Sequence, residues 1–230
     1  MERHLETVTI YRTEIIIQDN APVHVREFAD AHQTSEGYYT HEQFIRAITN
    51  AQENVYISTP LLPRDCIRYF QGENGNHFLF LELDPINRTV YYHSSEINDL
   101  PFPRLVMAVK LRERDKKYHV DEMYVVAVKE PIHEDVEVYR YPYTNVYDNY
   151  SVCRGTIQLP ELLGLSQINF LIRMFYESPN TDSLYEKANS SKLSFRELTD
   201  KIKGENFPDE ILISANMTLT EWMKKIIEQA

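Results

Sequence analysis

Cysteine is scarce in this chain: Cys66 and Cys153 are its only two among 230 residues. A disulfide framework or a thiolate zinc site has almost nothing to work with. Long apolar runs are missing, with no stretch of about eighteen apolar residues, which argues against a membrane span. No apolar segment follows a basic start at Met1, so an export signal is not expected. The expected setting is therefore a reducing, cytoplasmic one with free thiols, in which the Asn-x-Ser/Thr triplets at Asn87, Asn149, Asn189 and Asn216 arise by chance. Positive charge is short too: 24 Lys and Arg stand against 35 Asp and Glu, a formal net charge of −11 and a pI near 5.2. Phosphate backbones repel such a surface, which speaks against nucleic-acid binding. The eight histidines form no His-x-x-Glu-His or Cys/His cluster, so no metal site is expected. No glycine-rich phosphate loop occurs, and no cofactor is expected on this chain.

What is present is enough apolar material, 43% of residues, to bury a core in one large domain or in a domain with an extension. Thr7 to Gln18 is β-branched and alternating, a strand or hairpin. Thr40 to Asn50 reads as a helix capped by Thr40, with Phe44, Ile45, Ala47 and Ile48 clustered on one face. Val55 to Thr59 is strand-like. Pro63-Arg64-Asp65 opens a short segment holding Cys66, and Gly72 to Asn76 is a turn. His77 to Leu83 and Arg88 to His93 suggest a hairpin around Asp84-Pro85-Ile86-Asn87. Ser94 to Pro103 is the best candidate linker, dividing an N-terminal extension (1–95) from a core (96–230). In the core, Leu105–Leu111, Asp121–Lys129 and Val136–Tyr141 read as a three-stranded antiparallel meander, with charged Arg112–Lys117 and Pro131–Asp135 as its turns. The remainder reads as helical: Leu165–Glu177, Ser194–Lys203 and Thr218–Gln229, the last two opening on Ser-x-x-Glu and Thr-x-x-Glu cap patterns. The class is α+β: a meander, a thiol-bearing loop, then C-terminal helices, preceded by a mixed α/β extension.

The loop after the meander carries the chemistry. Asn145 precedes Cys153 by eight residues, with the polar turn Val146-Tyr147-Asp148-Asn149-Tyr150-Ser151-Val152 between. A thiol can carry an acyl group as a thioester, and a nearby amide can donate to the oxyanion formed when that thioester is attacked. The plain alternatives are a Cys153 that packs as a small core residue and an Asn145 that only shapes its own turn. Cys66 lacks an amide partner at useful spacing and reads as packing.

The order of elements, and an Asn eight residues before a Cys, resemble the E2 ubiquitin-conjugating fold, in which a His-Pro-Asn triplet occupies that position. Tyr143-Thr144-Asn145 stands in its place. Ser178-Pro179-Asn180-Thr181-Asp182-Ser183-Leu184, after a long helix, resembles the E2 loop that faces the thiol. More closely, Leu105–Val109, Tyr139–Tyr147, Val152–Gly155 and Phe175–Ser178 are similar to the bacterial group D E2-like family, which includes protein B of the PRTRC plasmid-associated gene cluster. The resemblance covers roughly residues 100–190. It implies an E2/UBC-like core, a ubiquitin-like protein and an E1-like (ThiF-type) activating enzyme as partners, and a JAB-type peptidase from the same gene cluster. On this resemblance the chain accepts the ubiquitin-like protein as a thioester on Cys153 and passes it to an acceptor amine. Asn145 would serve as oxyanion donor or loop organiser, and Asp182 as the acid opposite the thiol that orients and deprotonates the amine. An exposed loop residue or a helix cap before Leu184 is the plain reading of Asp182. The pattern departs from the family at Tyr143 and Thr144, at Arg154 where E2 enzymes carry Leu, and in having no Trp after the thiol. A non-catalytic E2-like binding module is the alternative function. A cysteine hydrolase, drawing on His119 or His133, is a weaker one. The tyrosines at 139, 141, 143, 147 and 150 either pack the flap beside the thiol or face a partner.

Overall fold

A computed structural model describes residues 11–51, 59–72 and 75–229. The expected strand Val55–Thr59 lies almost wholly outside the described residues. The chain forms two compact units, divided between Ser58 and Thr59.

The first unit holds strands β1 (Tyr11–Ile16), β2 (Val23–Ala29) and β3 (His32–Tyr39) in an antiparallel meander, followed by helix α1 (His41–Ala51). Sequence reading found β1 and α1 but missed β2 and β3, whose His, Glu, Gln and Ser content hides the alternation. Thr40 caps α1 as expected: its hydroxyl accepts from the Gln43 N–H at 3.1 Å, and the Gln43 side chain accepts from the Thr40 N–H at 3.0 Å.

The second unit is built on an antiparallel sheet. Its strands are β4 (Cys66–Gln71), β5 (Asn76–Leu83), β8 (Arg104–Arg114), β9 (Lys117–Val128), β10 (Glu137–Tyr139) and β12 (Ser214–Thr218), in spatial order 12-10-9-8-5-4, while β11 (Glu161–Leu162) pairs with β9. Both faces of the central strands are buried, which explains their near-continuous apolar runs. Leu79, Leu81, Leu105, Met107, Val109, Met123 and Val125 face one side. That side is covered by α2 (Asn169–Glu177), entered through a 3₁₀ turn, and by α3 (Phe195–Ile202). Phe78, Phe80, Val106, Ala108, Tyr124 and Val126 face the other, under α4 (Leu219–Glu228) with Trp222 fully buried edge-on to Phe80. The capping boxes expected at Ser194/Glu197 and Thr218/Glu221 are both formed.

The meander β8–β9–β10 is as expected. The proposed hairpin of His77–Leu83 with Arg88–His93 is not. Both edges of β5 are taken, by β4 and β8, so the chain leaves the sheet at Pro85. Strand β6 (Ile86–Tyr92) pairs instead with β7 (Ser95–Phe102) in a separate two-stranded ribbon. The segment Ser94–Pro103, read as a linker, instead holds that second strand. Pro101 sits on the ribbon where no ladder donor is required, and Leu100 and Phe102 are buried. The ribbon packs on α2 and α3. The stretch before α4 is also a strand, β12, where helix alone was expected. Its polar sequence Ser214-Ala215-Asn216-Met217-Thr218 gives no strand signal, and pairing with β10 at the sheet edge decides it. No helix among the described residues is long and apolar enough to cross a membrane.

Candidate functional site

Between β10 and β11 the chain makes a small hairpin whose arms are Asn145–Val146 and Val152–Cys153. Val146 bridges Val152, the Tyr147 N–H donates to the Ser151 carbonyl at 2.9 Å, and the Cys153 N–H donates to the Asn145 carbonyl at 2.7 Å. The eight-residue spacing is thus the spacing of two residues facing each other across a hairpin. The returning arm lies along β9, with Val152 N–H on Met123 O (2.8 Å) and Val125 N–H on Tyr150 O (2.9 Å). Asn149 closes the tip by accepting from the Ser151 N–H and hydroxyl.

Asn145 has φ of 68°, a left-handed conformation that Asn tolerates better than most side chains. Its amide donates to the Pro179 carbonyl at 3.0 Å, so the residue fastens the thiol hairpin to the 178–184 loop. Thr144 is fully buried, and its hydroxyl donates to Asn180 Oδ1 at 2.6 Å. Asn180 is itself tied to the end of β6: its N–H donates to Tyr91 O (2.7 Å) and its carbonyl accepts from the His93 N–H (2.9 Å). Tyr143 is buried among Phe102, Tyr141, Phe195 and Phe207 and donates its hydroxyl to the Pro101 carbonyl. Burial pushes the phenols of Tyr141 and Tyr143 well up. Of the five clustered tyrosines, 141, 143 and 150 are packing residues, whereas Tyr147 is exposed.

The Cys153 sulfur is half-buried and free, and it accepts a hydrogen bond from the Tyr147 hydroxyl at 3.2 Å. That bond raises the Tyr147 phenol. Tyr147 was visible in the sequence only as one tyrosine among five; its place two residues after Asn145, inside the turn, was the available signal. An open depression of about 770 Å³ runs beside it, lined by Tyr147, Asp148, Ser151, Asp182, Leu184 and Lys187 among others. The phenol on the sulfur and the carboxylate of Asp182 thus border one space. Asp182 is exposed and begins no helix, which removes the cap reading. Its Oδ1 accepts from the Tyr92 hydroxyl at 2.5 Å and its Oδ2 lies 3.5 Å from His93 Nε2. The Tyr92 bond, then His93, hold the carboxyl below its usual range. Arg154, half-buried, forms no ion pair among the described residues.

Cys66 is separate from this constellation. It opens the edge strand β4, its thiol donates to the Arg68 carbonyl at 3.3 Å, it packs partly on the core, and burial pushes its thiol up. No group of three or more potential metal ligands is present among the described residues.

The family model described as prokaryotic E2 family D matches residues 40–215. No curated protein and no solved structure matches the chain.

Proposed function

The chain belongs to prokaryotic E2 family D, and from that premise we propose that it is a carrier for a ubiquitin-like protein, with an E2/UBC-like core and Cys153 as the thioester site. Family membership itself points to an E2-like role. The finer reading is carried by one observation: Tyr147, whose hydroxyl donates to the Cys153 sulfur, and Asp182 line one open depression.

The chain's own groups supply each step. An E1-like, ThiF-type enzyme presents the ubiquitin-like protein as a thioester. The Cys153 thiolate attacks its carbonyl, the C–S bond to the donor breaks, and one thioester replaces another near thermoneutrality. The hairpin keeps the sulfur at the surface, and the Tyr147 hydroxyl fixes its orientation. The acceptor amine enters over the depression, where the Asp182 carboxylate attracts its ammonium form. The hairpin's left-handed Asn145 and its bond to Pro179 O keep the two loops in register throughout. A JAB-type peptidase of the same gene cluster, a PRTRC-like setting and a cytoplasmic location extend the same proposal.

The test is to mix the chain with activating enzyme, ubiquitin-like protein and ATP, and to compare non-reducing with reducing gels. A thiol-sensitive adduct is expected that persists in Cys66→Ala and disappears in Cys153→Ala. A complex that forms without any adduct, at equal affinity in Cys153→Ala, would instead establish the binding-module reading. The Asn145 amide already engaged on Pro179 O favours that alternative.

A further inference from the structure

One side chain beside Asp182 has a left-handed backbone, as do ten other non-glycine residues among those described. Strands β6 and β7 are joined by the two-residue turn His93-Ser94, and His93 there has φ of 51°. Glycine meets a left-handed position at a tight turn with least cost, yet this one carries an imidazole. Strain of this kind persists where the surroundings hold it, and it gathers at functional sites. The surroundings do hold it: the His93 N–H is on Asn180 O, Tyr92 bridges Asn180, and the ring lies against Tyr92 with centroids 4.5 Å apart.

The ring faces the candidate acid. His93 Nε2 stands 3.5 Å from Asp182 Oδ2. That is longer than a good N–H···O bond, and one ammonium nitrogen can reach both atoms. Oδ1, on the far side, is occupied by the Tyr92 hydroxyl. The carboxylate is therefore fixed by one oxygen and open at the other. It is also a poor proton acceptor, since its partners favour the ionised form. The site holds a group that attracts an ammonium and, next to it, an imidazole nitrogen. Arg196 on α3 acts on Tyr92, whose ring rests on Phe195, and Asp148, Glu186 and Lys187 line the depression with Asp182.

We propose that His93 is the general base of amine transfer, with Asp182 holding the acceptor ammonium and Tyr92 holding Asp182. This rests on the thioester reading of Cys153. The acceptor R–NH3⁺ sits between Oδ2 and Nε2 and gives one proton to neutral His93. The amine lone pair forms the C–N bond at the thioester carbonyl. The C–S bond breaks, and the departing Cys153 sulfur takes the second amine proton and leaves as thiol. The imidazolium returns its proton to solvent.

The two ideas separate in one experiment. The chain is loaded at Cys153 with a peptide ending in Gly-Gly supplied as a mercaptoethanesulfonate thioester, and the loaded chain is then discharged by free lysine at a series of pH values. Loading should be the same in the native chain, His93→Gln and His93→Gly. Discharge should be about 100-fold slower in both variants. Lysine sheds its own proton as pH rises, so discharge should speed up in all three chains, and the readout is the native excess over each variant at every pH. His93→Gly relieves the left-handed backbone, so a slow discharge in it cannot come from a misfolded hairpin. Hydroxylamine, an amine already unprotonated at neutral pH, should discharge all three alike. Equal lysine discharge and an unchanged pH profile in His93→Gln overturn the role of His93 and leave the carrier reading intact. A native chain that loads no better at Cys153 than Cys153→Ala overturns the carrier reading and this inference with it.

Discussion

Cys66 and Cys153 are both free and both half-buried, yet their sulfurs have opposite hydrogen-bond partners. Cys66 donates to a backbone carbonyl at the start of an edge strand, and burial pushes its thiol up. Cys153 accepts from a phenol at the foot of a surface hairpin, so its sulfur is held as an acceptor. Exposure alone does not tell them apart. The direction of the hydrogen bond and the braced loops do.

The comparison breaks most visibly at the second step of transfer. Asp182→Asn should load normally on Cys153 and discharge to lysine about 100-fold more slowly, while any adduct formed at Cys66 should decay at the same rate in both chains, followed on non-reducing gels. Equal decay at Cys153 would return Asp182 to an ordinary loop residue.

Next come the braces. Thr144→Val leaves the buried Asn180 Oδ1 without its donor and should cost about 1–3 kcal/mol in urea unfolding. Accompanying faster alkylation at Cys153 alone would locate the loosening in the hairpin. The two sulfurs should also trade places when stability is measured: Cys66→Ala should cost about 1 kcal/mol through lost packing, and Cys153→Ala less than that, the reverse of their order in loading.

A pH effect follows from Asp182. Its carboxyl is lower in the folded chain than in the unfolded one, so its contribution to stability is present above the unfolded value of about 4 and is lost as pH falls through the folded value. Tyr92→Phe should lower stability at neutral pH and leave it unchanged in strong acid, as read by thermal unfolding at both. Smallest of all, Tyr147→Phe should alter iodoacetamide alkylation of Cys153 a few-fold, about 1 kcal/mol or less for one exposed hydrogen bond, with no change at Cys66.

Several of these features were readable before folding. The three capped helices follow from Thr40, Ser194 and Thr218 with their partners three residues on, because capping is local chemistry. The meander follows from its apolar runs. The pairing of Asn145 with Cys153 is legible as spacing, since a short hairpin is also local. The partner of β6 was not legible, because it depends on β5 having both edges filled by strands distant in sequence. Strand β12 was invisible for the same reason: its five residues have little β character and are strands only because β10 is beside them.

By itself, then, the sequence determined the local units: where helices begin, which strands are buried on both faces, and that a thiol and an amide oppose each other across a turn. Only the tertiary structure decided which groups surround that thiol. Tyr92 and His93 meet Asp182 from 90 and 89 residues away, and Thr144 meets Asn180 across 36. Contacts of that range leave no periodicity or spacing in the chain. They arise where packing the β6–β7 ribbon on α2 and α3 brings its turn to the 178–184 loop.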